Sequence, residues 1–175
     1  YGGEPFTTPA RLRDLLKAVD TLNLAKPVFV KMPISLAWSE FRALLDVITK
    51  HKIAGVSIGN LLKDRTKADL ADDLPDTVPG NLSGEPCREV STELVYKTYK
   101  NYGDKLTIVG VGGIFSAEDA YDKIRAGASL VALVTGVVFE GPQLIGEINR
   151  GLVDLIKRDN FSNIGEAVGA DHRAI

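Results

Sequence analysis

Four short runs of β-branched and apolar residues alternate along this chain with stretches of helical periodicity: residues 28–32 (VFVKM), 55–60 (GVSIGN), 106–111 (LTIVGV) and 129–134 (SLVALV). This regular alternation implies parallel βα repeats, in which each helical segment carries the chain back to begin the next strand. The fourth run is almost continuously apolar, the pattern of a strand buried on both faces of a helix-covered parallel sheet.

The segments between the strands fit that scheme. Residues 10–22 form an amphipathic run with Thr8 as a candidate cap and Pro9 in the permissive first turn. Trp38, Phe41, Leu44, Leu45 and Ile48 recur at helical spacing over residues 39–51. Further helices are expected over 91–102, from about Ser116 with Glu118 and Asp119 in the first turn, and over 141–157. Residues 63–86 break the rhythm with prolines at 75, 79 and 86 and with Asp69, Asp72, Asp73 and Asp76. An excursion longer than ~12–15 residues inside a compact domain is usually functional or disordered, so this one is a candidate substrate or lid segment. Its acids read most simply as a solvated loop face.

Repeats of this kind build either a doubly wound sheet or part of a (β/α)8 TIM barrel. A full barrel takes about 250 residues, so four units in 175 residues correspond to half of one, with the loop insertion at about 63–86. Such a half exposes two sheet edges and half of its interior layer, and it needs the missing half or another copy. The chain opens at Tyr1 and its only methionine, Met32, lies in a strand, so no translation start is visible.

Bulk chemistry excludes more than it suggests. With 21 basic and 23 acidic residues, the net charge of -2 offers no electrostatic basis for nucleic-acid binding or for adhesion to an anionic membrane. Cys87 is the only cysteine, and His51 and His172 lie too far apart for a spaced metal motif, so neither a disulfide nor a metal centre is expected. No apolar run approaches the ~20 residues of a membrane span. No convincing triad forms either: Cys87 reads as a structural thiol and His172 as a structural hydrogen bonder.

The chemistry is expected at the strand ends. Gly112 and Gly113 follow the third strand and precede a helix, an arrangement that brings backbone N–H groups to an oxyanion without a Cβ in the way. Leu133-Val134-Thr135-Gly136 ends the fourth strand about 20 residues on. Two such turns at the ends of adjacent strands suit a phosphate, as in the loops after strands seven and eight of barrels. On this reading Gly113→Val abolishes ligand binding by blocking the phosphate approach. Lys31 lies inside an apolar strand, where a charge must be paired, shifted, or directed at the site or the strand end. Asn60 ends the second strand, and its amide can both donate and accept. Ser83 and Gly84 can offer a hydroxyl and a close backbone N–H, or simply turn the chain.

Taken in order, Gly2-Gly-Glu-Pro-Phe6, residues 28–32 and 55–60, Leu82-Ser-Gly-Glu-Pro-Cys-Arg88 with Ser91-Thr92, Gly110-Val-Gly-Gly113, Ile124-Arg-Ala-Gly-Ala-Ser129 and Gly169-Ala-Asp-His-Arg173 resemble the carboxy-terminal half of dihydroorotate dehydrogenase. The Gly-Ala-Asp-His-Arg ending resembles the quinone-dependent class in particular. The resemblance implies FMN, with its phosphate on the backbone N–H groups of Gly112, Gly113, Val134 and Thr135, with Lys31 and Gly59 on the flavin side, and with Ser83 and Gly84 bordering the cofactor. Asn60 would hydrogen-bond dihydroorotate or orotate. Dihydroorotate oxidation would pass hydride to the flavin and electrons to quinone, on the cytoplasmic side of a membrane, with the serine base and the membrane-binding extension upstream of this chain.

Where the family usually has Thr-Asn-Thr, this chain has Gly59-Asn60-Leu61, which removes a hydroxyl on each side of the asparagine. The fragment alone is not expected to catalyse the reaction. The alternatives are a related flavin barrel with another substrate or acceptor, and a non-catalytic half-barrel that binds a phosphate compound.

Overall fold

The computed structural model describes residues 6–67, 70, 75, 77 and 79–173. Most of the Gly-Gly-Glu-Pro-Phe segment, and Asp69, Asp72, Asp73 and Asp76, lie outside the described residues.

Each helix forms where an apolar stripe meets a compatible end. α1 (Pro9–Thr21) opens on Pro9, whose missing N–H costs nothing in a first turn, and buries Leu12 and Leu16 one turn apart. Thr8 sits at its N-cap position in extended conformation, but its hydroxyl makes no capping bond. β1 (Phe29–Met32) leads to α2 (Trp38–Ile48), which buries Phe41, Leu44, Leu45, Val47 and Ile48. At its start the Glu40 carboxylate accepts the Ala37 N–H at 3.2 Å. β2 (Gly55–Ile58) runs into the excursion, whose base is clipped by paired backbone hydrogen bonds between Leu62 and Leu82.

After a 3-10 turn at Glu85–Cys87, α3 spans Arg88–Tyr102 and begins three residues before the expected Ser91. β3 (Thr107–Val111), α4 (Ala117–Arg125) and β4 (Leu130–Ala132) follow. The last strand is shorter than its apolar run, because residues 133 and 134 turn into a short helix the periodicity did not announce, α5 (Thr135–Glu140). α6 (Gln143–Arg158) buries Leu144, Ile148 and Leu155, and α7 (Ile164–Ala167) leads into the tail.

The four strands pair in parallel in the order β1-β2-β3-β4. That sequential order decides between the two parallel architectures, since a doubly wound sheet reverses its strand order at a switch point and a barrel does not. The register places Lys31, Ser57, Val109 and Leu130 in one row. With period-2 alternation, Met32, Val56, Ile58, Ile108 and Gly110 face the helices and are buried. On the other face Phe29, Lys31 and Leu130 are exposed and Ser57, Val109 and Val111 half-buried. The expectation that β4 is buried on both faces is therefore not met within this chain. In a closed barrel that inner face is covered by side chains from the opposite strands, which these four do not supply.

Candidate functional site

The carboxyl ends of the strands border an open cleft of about 150 Å³. Lys31 reaches it from β1, Gly59 and Asn60 from the end of β2, and Gly112 and Gly113 from the turn after β3. Val134 and Thr135 border it at the start of α5, and Ser83 and Gly84 complete it from the end of the excursion. All nine residues singled out in the sequence thus line one cavity, although they span more than 100 positions. Lys31, left open between a pairing, a shift, the site and the strand end, is exposed on the inner face and borders the cleft.

All four glycines among these nine residues have positive φ: Gly59 at 150°, Gly84 at 77°, Gly112 at 106° and Gly113 at 67°. At Gly113 packing adds a requirement the sequence did not announce. A Cβ there would run into the Cβ of Arg88 and stand 2.7 Å from its Cα and 2.9 Å from its N. Gly113 is therefore the contact that seats the β3–α4 turn on the first turn of α3. Gly59 likewise lies against β3, where an added Cβ would meet the Val111 oxygen at 2.5 Å. A threonine would not fit this backbone. At Gly84 the added carbon would meet Thr135 Cγ2 at 2.9 Å, and the Thr135 hydroxyl donates to Ser83 Oγ at 3.2 Å, closing the excursion onto the start of α5.

The two helix starts beside the cleft differ in how their backbone N–H groups are served. The α4 amino terminus is already served by side chains: Ser116 Oγ accepts the Asp119 N–H at 3.1 Å, and Asp119 Oδ2 accepts the Phe115 N–H at 3.0 Å. Asp119 Oδ1 in turn holds Arg88 at 2.8 Å. The partial positive end of α4 is thus occupied by a carboxylate, whereas no side chain caps α5. The backbone donors available to an anion are those of the glycine turn and of residues 134–136.

Cys87 borders the cleft but is buried, and its thiol donates to the Leu82 carbonyl at 3.4 Å. Burial pushes its pKa up, which suits a structural thiol rather than a nucleophile. His172 acts structurally as well: Nε2 lies 3.0 Å from the Ala126 carbonyl, and the ring stacks on Tyr96 at 3.9 Å. Among the described residues, no group of three or more His, Cys, Asp or Glu could hold a metal, and no helix is long and apolar enough to cross a membrane.

Sequence reasoning passed over three contributors. Arg88 lies against Gly113 and pairs with Asp119, which accepts the Phe115 N–H just beyond the turn, and Lys123 on α4 is fully buried behind it. Lys123 falls between the inward-facing Ala120 and Ile124, and that helical spacing was the available signal.

Fold and cleft together define one portion of a singly wound parallel βα barrel, with a glycine-rich cleft at the carboxyl ends of its strands. The chain belongs to the dihydroorotate dehydrogenase family, whose model matches residues 2–156. It is 36% identical over 167 residues to the dihydroorotate dehydrogenase (quinone) of Crocosphaera subtropica, covering 92% of this chain and 44% of that protein. The enzyme of the same name from Anaeromyxobacter dehalogenans strain 2CP-C is 39% identical over 148 residues, 85% of this chain and 40% of that one. The chain thus spans less than half the length of these relatives. Among solved structures, ligand-free DHODH of Eimeria tenella superposes with a TM-score of 0.82 at 26% identity, over 97% of this chain and 52% of that one.

Proposed function

We propose that this chain is the flavin-phosphate and substrate portion of a quinone-dependent dihydroorotate dehydrogenase, which oxidises dihydroorotate to orotate in pyrimidine biosynthesis. The observation that carries the reading is the convergence of nine residues from separate elements on one cleft in a chain of this family. The donor set suits FMN, because positive-φ glycines at 112 and 113 and the uncapped start of α5 offer backbone N–H groups to a phosphate. Bound there, FMN supplies a two-electron hydride acceptor that a quinone can reoxidise.

The residues of this chain bind and orient. Backbone N–H groups at Gly112, Gly113, Val134 and Thr135 hold the phosphate. Ser83 and Gly84 border the cofactor, and Gly59 leaves the flavin side of β2 open. Lys31 brings a cation to the inner face beside the ring, where it favours negative charge developing on it. The Asn60 amide donates to and accepts from the pyrimidine ring of the substrate. The base that takes the carbon-bound proton is assigned to the remainder of the barrel, which also covers the open sheet face. Ser83 and Gly84 tie the end of the 63–86 excursion to the cofactor side, so that excursion is the candidate substrate or lid segment.

The test is the visible spectrum of the complete purified protein before and after anaerobic dihydroorotate. Oxidised-flavin absorbance that bleaches with substrate and returns with a quinone is the expected result. A colourless protein, or a flavin that dihydroorotate leaves oxidised, would refute the assignment.

A further inference from the structure

We propose that Lys123 is a buried cation beneath the phosphate end of the cleft, one that favours a phosphate dianion there without touching it. The inference rests on the flavin reading above and adds to it an electrostatic residue outside the ligand's contact shell.

Lys123 is 0% exposed, and all three hydrogen-bond partners of its Nζ are neutral oxygens: Ser91 Oγ at 2.6 Å, Thr92 Oγ1 at 2.8 Å and the Arg88 carbonyl at 3.3 Å. Desolvation strongly disfavours a buried ammonium unless something compensates it. Holding together the first turn of α3 does not require the charge, because the Ser91 and Thr92 hydroxyls already donate to the Arg88 carbonyl at 3.1 and 2.7 Å.

What the charge does face is the glycine turn. The Lys123 stem packs 3.2 Å from the Cβ position of Gly110, and Ser91 Oγ lies 3.3 Å from that of Gly112. Steps of 2.6 and 3.3 Å therefore place Nζ within about 6 Å of the Gly112 Cβ position, close enough for an effective Coulomb interaction in a partly desolvated site.

The remaining charges around Lys123 make it necessary. Arg88 on α3 is paired with Asp119 at 2.8 Å and with Glu85 at 2.6 Å. Asp119 and Asp122 stand on α4, and Cys87 is a neutral thiol on the 3-10 turn. Without Lys123 this surrounding is acidic and repels an anion. Burial holds the Lys123 pKa down at about 8, with Asp119 opposing that shift and Arg88 adding to it.

Phosphate binding favours the charged form and so raises that pKa in the complex. Affinity is therefore greatest below about pH 8 and falls as pH rises from the free-state value towards the bound-state one. One unit charge against a dianion at roughly 10 Å and an effective dielectric of ~20 changes affinity on the order of 100-fold, and about tenfold after salt screening.

The experiment is equilibrium dialysis of the complete protein against graded FMN or riboflavin at pH 7 and pH 9.5, where the FMN phosphate remains dianionic because its second pKa is about 6. Riboflavin lacks the phosphate, so the FMN-to-riboflavin affinity ratio isolates the electrostatic effect from any change in fold. In the wild type the ratio is expected to fall about tenfold between the two pH values. Lys123→Met should begin at the low ratio and show no pH dependence, and Lys123→Arg should keep the high ratio at both. A wild-type ratio that does not change with pH, or a Met variant that weakens both flavins equally, overturns the proposal while leaving the flavin site standing. If Lys123→Met fails to fold, the wild-type ratio and the Arg variant still decide. A wild type that binds neither flavin refutes the functional reading itself, and this inference with it.

Discussion

Gly113→Ala separates two roles that a glycine beside a phosphate site can play. The residue sits at φ 67°, a conformation that costs an alanine about 1–3 kcal/mol. Its new Cβ would overlap the Cβ of Arg88 and stand 2.7 and 2.9 Å from the Arg88 Cα and N, well inside contact distance. Those are backbone and near-backbone atoms at the start of α3, so no rotamer change relieves the overlap. Either the turn or the helix start must move, at a further ~1–3 kcal/mol. The Arg88–Asp119 pair, at 2.8 Å, resists that movement. We expect a total loss of roughly 2–6 kcal/mol, read by urea denaturation of the complete protein both without flavin and with saturating FMN. Weaker FMN binding should follow as a consequence of the displaced turn. If flavin-free stability is unchanged while FMN affinity collapses, the Cβ is obstructing the phosphate and the packing argument is wrong.

The other predictions concern acid stability, the tail and the substrate contact. Arg158 first, then Tyr121 and Arg125, hold the Asp159 carboxyl at about 2, below its ordinary 3.8, against the opposing effect of burial. A group depressed in the folded state stabilises above its unfolded value and loses that contribution as pH falls through its folded one. The melting-temperature gap between wild type and Asp159→Asn should therefore narrow between about pH 4 and pH 2; a gap constant across that window would contradict the assignment. His172→Ala removes the stack on Tyr96 and leaves the Ala126 carbonyl without its partner, for an expected loss of about 2 kcal/mol in chemical denaturation. A change under ~0.5 kcal/mol, the usual range for a surface substitution, would show the tail to be loosely held. Asn60→Ala should leave stability within ~0.5 kcal/mol and raise the KM for dihydroorotate about tenfold or more; an unchanged KM would remove Asn60 from the substrate site.

Much of this molecule was legible in local patterns. Strand positions follow from runs of apolar residues, helices from i, i+3 and i+4 spacing, and parallel pairing from their alternation, because these are short-range consequences of backbone geometry. The cleft was legible for a related reason. Glycines and small polar residues at strand ends are where parallel βα units bring backbone N–H groups to a ligand, and the seven singled out on that ground converge there with Lys31 and Val134. The same local view missed α5, whose six residues carry no cap and no long stripe, and it began α3 late, since its first turn reads as loop sequence.

What the sequence by itself determined is therefore the alternation of strands and long helices and nine of the residues that face the cleft. Only the tertiary structure decided what lies behind them. Arg88 meets Asp119 across 31 positions and Lys123 meets Ser91 across 32, and neither pairing has a local signature. Both depend on α3 and α4 packing side by side over β3, which places the Cβ side of Gly113 against a helix and a lysine beneath a glycine turn. A glycine's sequence position announces that the backbone must turn or approach something closely; which neighbour requires it is set by the packing of residues distant in the chain.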